Sequence, residues 1–306
     1  MNYLTDIDFL AFIGKQESQY LTTLENPDVA SGIRDRFEFG VKQYGATTPW
    51  HWTKDKLRFR PSEVTVWAGS SGHGKSLITS QIVADLMQQR CRCLIASLEM
   101  PLPATGYRLL RQMIGRSKPT EEEIRSRIAW TADKLWVYDQ LDTVAAERIL
   151  GMTIYAMTEL KIQHVVIDSL MKCGIRGEDY DSQAAFVDRL CWAAKTYCGH
   201  IHLVHHLRKG ENEMKEPDKS DIKGTGGIAD LVDNVCLCWR NKKKEDQLAL
   251  GEYVDPDVAD AMVLVRKQRH GEWEGKIRLW FHPESHQFLG ALDEGPKVYG
   301  NREGAA

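Results

Sequence analysis

The residues whose types and spacing hold the most chemistry are Gly69-Ser70-Ser71-Gly72-His73-Gly74-Lys75-Ser76, followed by Leu77. They match G-x-x-x-x-G-K-[ST], a loop that wraps backbone N–H groups around a phosphate. The glycines permit the wrap, Lys75 brings positive charge to the β and γ oxygens, and the Ser76 hydroxyl suits magnesium. The apolar run EVTVWA precedes the motif and LITSQIVADLMQQ, with helical periodicity, follows it. That is the strand-then-helix setting the pattern needs, so Gly69 to Leu77 is the expected nucleotide-binding segment. A glycine-rich turn feeding a helix is the plainer alternative, and the complete pattern in its context argues against it.

Two carboxylates complete this chemistry. HVVIDSL is an aliphatic strand delivering Asp168 at its C-terminal end, where α/β sheets place ligands, so Asp168 is the candidate second metal residue beside Ser76. CLIASLEM is a strand ending in Ser97-Leu98-Glu99, and Glu99 is expected beside the P-loop strand at the same sheet edge, near the γ-phosphate. A helix-capping aspartate and a solvated glutamate are the alternatives at these positions.

The elements that must position these groups follow a regular alternation. VTVWA, CLIASL, LWVYD and HVVIDSL are each followed by a helix-period segment, and HIHLVHHL and DNVCLCW are two further apolar runs. Strands apolar throughout and followed by helices predict a parallel sheet covered on both faces. MVLVRKQ and KIRLWF around HGEWEG predict an antiparallel hairpin. The fold class is therefore α/β: a mostly parallel twisted sheet flanked by helices, with a C-terminal hairpin. Residues 1–60 are more polar and broken by Pro and Gly, with helix-like stretches around IDFLAFIGKQ and ASGIRDRFEFGVKQYG, and are expected to be an extension or linker. Residues 61–294 form the main domain, and 295–306 is expected to be a polar, disordered tail.

Composition bounds the function. A chain of 306 residues at 42% hydrophobic content can pack one large domain and an extension. There is no apolar run of membrane-spanning length, and the acids in MNYLTDIDFLAF do not suit a secretory signal, so a cytoplasmic protein with no membrane partner is expected. The seven cysteines are an odd number and sit partly on strand-like segments, which points to reduced, buried thiols. A net charge of −3 removes bulk electrostatics as a way to hold nucleic acid, so any such contact must be local. The histidines of HIHLVHH alternate along a strand with no Cys or carboxylate completing a ligand set, and a metal site there is not expected.

In order along the chain, the P-loop, SLEMP, IDSL, HHLRK, DIKGTGGIAD and VRKQRHG resemble the RecA-like motor domain of hexameric replicative DNA helicases, of the bacterial DnaB and phage primase-helicase type. The resemblance spans about residues 61 to 285. It implies an ATPase (ATP or another NTP, with magnesium) in a homo-oligomeric ring, expected to be a hexamer, that moves 5′ to 3′ on single-stranded DNA and unwinds duplex. By position Glu99 matches the catalytic glutamate, Asp168 the magnesium aspartate and His206 the γ-phosphate sensor. Lys267 and Arg269 match the basic pair that reaches the neighbouring subunit's nucleotide, Arg269 as the arginine finger.

The loop RKGENEMKEPDKSDIKGTGG balances Arg208, Lys209, Lys215, Lys219 and Lys223 against Glu211, Glu213, Glu216, Asp218 and Asp221, so charge alone reads as a solvated loop. Its form allows more: a glycine-rich turn brings backbone N–H groups close to phosphates, and copies in a ring multiply weak contacts. The resemblance implies that it lines a central channel, with Lys223, Gly224 and Gly226 at phosphate-contacting positions and Arg208, Lys209 and Thr225 completing the DNA-binding set. The sequence departs from those relatives in showing neither a primase domain nor a large helical collar. That leaves residues 1–60 either to pack on an adjacent subunit or to cover their own sheet, with primase, polymerase or a loader as candidate partners. A filament-forming RecA/RadA-type recombinase or mediator and a KaiC-like ring ATPase that does not move on DNA are the competing classes. Filament growth on DNA marks the first, DNA-independent hydrolysis the second.

Overall fold

The computed structural model describes residues 2–3, 8–13, 34, 37, 44–208, 214–223 and 227–300. Strands β1 (Asn2–Tyr3), β2 (Ala46–Thr47), β3 (Arg58–Phe59), β4 (Val64–Gly69), β5 (Cys93–Ser97), β6 (Leu135–Tyr138), β7 (His164–Asp168), β8 (His200–His206), β9 (Asn234–Arg240), β10 (Ala261–Gln268), β11 (Gly275–His282) and β12 (Gln287–Leu289) run in chain order. Helices α1 (Lys75–Gln88), α2 (Leu102–Ile114), α3 (Glu121–Trp130), α4 (Ala146–Thr158), α5 (Tyr180–Thr196), α6 (Gly227–Leu231) and α7 (Lys242–Ala249) connect them.

All strands but β2 and β3 join one sheet in the order β1-β6-β5-β7-β8-β4-β9-β10-β11-β12. From β1 to β9 the pairing is parallel, and β10, β11 and β12 are antiparallel. The buried strands follow from their sequences: every residue of β4, β5, β6 and β7 is buried, as it must be when helices cover both faces. Alternation along β4 divides the core. Val64, Val66 and Ala68 pack with α4 and α5, whereas Trp67 packs on the opposite face with Ile78, Ile82 and Leu86 of α1.

On that second face His200 and His202 join His164 and Phe59 in a buried group. Trp67 Nε1 donates to His202 Nδ1 (3.3 Å), and His202 Nε2 lies 3.2 Å from His164 Nδ1. Five of the seven free cysteines are buried as expected, while Cys91 is half-buried and Cys198 exposed.

The described parts of residues 1–60 cover their own sheet. Asn2–Tyr3 adds a parallel edge strand to β6, and Phe9 is buried edge-on against Tyr138 and Tyr155 at 5.9 and 5.7 Å. Gly151 on α4 makes this approach possible, since a Cβ there would stand 2.1 Å from the Phe9 carbonyl oxygen. Where helical periodicity extends over IDFLAFIGKQ, the described structure is a 3-10 turn, Phe9–Phe12, capped by Asp8. Of the second helix-like stretch Arg34 and Phe37 are helical, and the remainder lies outside the described residues. Trp50, Leu57 and Phe59 bury against α1 around the β2–β3 ribbon.

The expectation of a disordered tail from residue 295 fails as far as residue 300. Tyr299 is buried and its N–H donates to the Met113 carbonyl at 2.8 Å, while Gln287 brackets the Lys297 backbone through both its amide atoms. An aromatic ring and a paired backbone seat this stretch against α1 and α2; residues 301–306 lie outside the described residues.

Candidate functional site

At the C-terminal edge of the parallel strands the chain turns from β4 through Ser70–Gly74 into α1. Gly72 and Gly74 adopt left-handed φ values of 77° and 79°, which L side chains resist, so the motif's glycines are demanded by the turn itself. Lys75 is buried and its Nζ donates to the carbonyls of Gly69 (2.8 Å) and Ser70 (2.9 Å). Burial lowers its pKa, against the opposing pull of Cys238, Asp168 and Glu99.

Asp168 ends β7 almost fully buried. Burial raises its pKa first, opposed by a hydrogen bond from Ser76 and by the charges of Arg108 and Lys75. Arg108 on α2 is a basic group whose charge acts on Asp168, and the sequence did not single it out. It sits within the helix pattern after SLEMP, and only packing of α2 against α1 turns it inward.

Glu99 follows β5, and here the structure differs from expectation: β7 and β8 separate β5 from β4, so Glu99 does not stand beside the P-loop strand. It still faces the site. Its Oε1 accepts from the Ser169 hydroxyl at 2.6 Å and lies 4.0 Å from His206 Nε2. His206 and Ser169 hold its carboxyl down to about 2 against the opposing effect of partial burial. At 4.0 Å the His206 ring is beyond hydrogen-bond range, so Ser169 is the closer partner.

A cavity of about 110 Å³ opens beside the loop, lined by Gly72, Gly74, Leu77, Arg240, Phe281 and Phe288 among others. Arg240 is half-exposed there and paired with Glu245. Phe288 is fixed by reciprocal hydrogen bonds with Gln81 (2.8 and 2.9 Å) and by Trp50 Nε1 donating to its carbonyl (2.9 Å). Arg240, Phe281 and Phe288 come from β9, β11 and β12, far from the motif in sequence, and no local signal marks them.

The basic pair lies elsewhere. β9 runs parallel to β4 and β10 antiparallel to β9, so Gln268 pairs with Asn234, which pairs with Thr65 at the start of β4. Lys267 and Arg269 are therefore at the sheet edge opposite the P-loop, about 15 Å away along the strands. Lys267 Nζ donates to the carbonyls of Ala229 and Asp230, each at 2.8 Å, and Arg269 Nε lies 3.0 Å from Asp233 Oδ1.

Of the DNA-binding set, Lys209, Gly224, Thr225 and Gly226 lie outside the described residues. Arg208 and Lys223 flank the loop at the end of β8. The Arg208 N–H donates to Asp221 (2.7 Å), the Lys223 N–H to the His206 carbonyl (3.1 Å), and His205 Nε2 lies 2.7 Å from the Lys223 carbonyl. Burial depresses the His205 pKa to about 4, so the ring is neutral and donates that bond. Among the described residues no helix is long and apolar enough to cross a membrane.

Comparison with known proteins agrees with this arrangement. The family described as DnaB-like helicase C terminal domain matches residues 55–290. The ATPase domain of G40P is 14% identical with a TM-score of 0.70, covering 88% of this chain and 99% of that one. A DnaB-like replicative helicase, reported with its interactions with primase, is 15% identical with a TM-score of 0.66, covering 88% of this chain and 67% of that one. At such identities the structures establish a shared fold, and the family match over most of the chain establishes more. With a P-loop, a strand-borne aspartate and a parallel sheet in RecA-like order, the chain belongs to the DnaB-like helicase C-terminal domain family, as a replicative-helicase type ATPase domain.

Proposed function

We propose that this ATPase domain is the motor of a ring-forming replicative DNA helicase, using ATP or another NTP to move 5′ to 3′ along single-stranded DNA and separate duplex. One observation carries the coupling: the N–H of Lys223, in the loop proposed to hold DNA, donates to the carbonyl of His206, which faces Glu99. A shift of His206 on phosphate release would move the loop through that backbone pair.

In this proposal residues 69–77 cradle the phosphates, with Lys75 turning from the loop carbonyls to the β and γ oxygens. Ser76 and Asp168 are adjacent hard oxygen donors, the kind magnesium takes, and they would hold the ion, which supplies neutralising charge to the phosphates. Glu99, kept ionised by Ser169 and His206, orients the attacking water, and His206 senses the γ-phosphate. Phe281, Phe288 and Arg240 offer apolar and cationic faces to the base. Lys267 and Arg269, too far from their own P-loop, serve the site of an adjacent subunit, which requires a homo-oligomeric ring. Arg208, Lys209, Lys223, Gly224, Thr225 and Gly226 contact phosphates of the strand. A helicase of this family reported with primase supports primase as a candidate partner.

The test is nucleotide hydrolysis with and without single-stranded DNA, paired with strand separation on forked duplexes bearing only a 5′ or only a 3′ tail. Stimulated hydrolysis and unwinding that needs the 5′ tail support the proposal. Hydrolysis indifferent to DNA and no unwinding of either fork would reject it.

A further inference from the structure

The arginine at the far sheet edge is held by groups whose own attachments are informative. Asp233 is 1% exposed, yet its Oδ1 lies 3.0 Å from Arg269 Nε while its Oδ2 accepts the Val64 N–H at 2.9 Å. The Oδ1 contact is an ion pair out of hydrogen-bond line, so it supplies charge rather than a directed bond. The Arg269 backbone N–H donates to the Asp233 carbonyl at 2.8 Å, which fixes the two residues together. Arg269 Nη2 meets the carbonyls of Leu231 (3.2 Å) and Asp230 (3.4 Å), and Lys267 Nζ meets those of Asp230 and Ala229. Cations on the last carbonyls of a helix are a favourable arrangement. That helix is α6, which begins at Gly227 directly after the loop proposed to hold DNA. With these contacts made, the Arg269 side chain is still 41% exposed.

We infer that Asp233 is the positioning residue of the Arg269 finger and that, with the carbonyl end of α6, it ties the finger to the DNA loop of the same subunit. This rests on the proposed trans role of Arg269. A buried carboxylate gives the guanidinium one anchored edge, so less of its freedom must be lost when it meets the neighbour's phosphates. Strand contact in one subunit then sets the finger in the next subunit's site.

Asp233→Asn separates positioning from folding, because the amide oxygen still accepts from Val64 while the charge toward Arg269 is gone. The expected result is a DNA-stimulated kcat lower by roughly 10- to 100-fold, with KM for nucleotide within about twofold. The decisive readout is subunit mixing with Lys75→Ala protein, exchange being verified by fluorescence transfer. An Asp233→Asn subunit keeps a competent P-loop that the intact finger of a Lys75→Ala neighbour can serve, so the mixture should hydrolyse several-fold faster than the parents' sum. A fold defect would not be rescued this way. Arg269→Ala mixed with Lys75→Ala is the control. If that mixture recovers and the Asp233→Asn mixture does not, or if Asp233→Asn alone turns over like wild type, the positioning role is overturned and the trans finger stands. If neither mixture recovers, the trans finger itself falls, and Asp233's role with it.

Discussion

Glu99→Gln isolates the water-orienting role, because the amide keeps the shape and still accepts the Ser169 hydroxyl bond that fixes the side chain at 2.6 Å. What it loses is the charge that Ser169 and His206 keep in place, holding the carboxyl down to about 2. A positioned base contributes typically 10²- to 10⁴-fold, so kcat should fall by that order, equivalent to about 3–5 kcal/mol of barrier. Nucleotide binding should hold or tighten slightly. Removing one negative charge from a half-exposed position near the phosphates is worth on the order of 1 kcal/mol, not several. Single-turnover hydrolysis and titration with a fluorescent nucleotide analogue measure the two quantities separately. Lys75→Ala should show the opposite split, with binding itself weakened as well as turnover lost, since its ammonium is the buried charge of the loop. Wild-type single-turnover rates in Glu99→Gln would refute the assignment and return attention to Asp168. Equal binding losses in the two variants would refute the reasoning about charge. Because the folded carboxyl is already ionised, the wild-type rate should show no acid limb from Glu99 at pH 5 and above.

Lys223→Ala should lower DNA-stimulated hydrolysis more than basal hydrolysis, and DNA affinity measured by anisotropy should fall with rising salt as phosphate contacts release counterions; unchanged stimulation would count against the loop. Phe9→Ala should destabilise the fold by about 3–5 kcal/mol in denaturant unfolding, because its ring fills a closed site against Tyr138 and Tyr155. A loss under 1 kcal/mol would mean the segment does not belong to this core. Stability should drop as pH falls from 6.5 toward 4. Burial keeps His164, His200, His202 and His205 neutral in the fold, His200 and His205 down to about 4, while the unfolded chain protonates them near 6.5. Glu63 opposes this: burial raises its carboxyl to about 6, so its contribution improves as pH falls from 6 toward its unfolded value. Burial raises Asp85 and Asp168 as well, but the four histidines outnumber these three carboxylates, so urea midpoints should fall from pH 7 to 5; a flat profile would contradict it.

Much of this molecule was legible in the chain because its central signals are local. A phosphate loop works through consecutive backbone groups and one lysine, so Gly69 to Leu77 must be contiguous. Strands covered on both faces must be apolar at every position, which is why β4, β5 and β7 and their helices could be read in order, and why Asp168 could be placed at a strand end. The ordered motifs then implied the family that the match over residues 55–290 establishes.

Tertiary structure decided what depends on strand order and on distant chain. Nothing in CLIASLEM states that two strands intervene between Glu99 and the P-loop strand, because sheet order arises from crossovers rather than from the strand's own residues. The cavity of Arg240, Phe281 and Phe288 is built by strands that are remote in sequence, and Tyr299 is buried although it lies in a stretch that reads as tail, its N–H paired with Met113. The registry of β9 and β10 puts Arg269 at the opposite edge, beside the buried Asp233. Composition and periodicity report which faces are buried, whereas only the assembled sheet brings residues far apart along the chain to one edge, and with them the charges that set each other's chemistry.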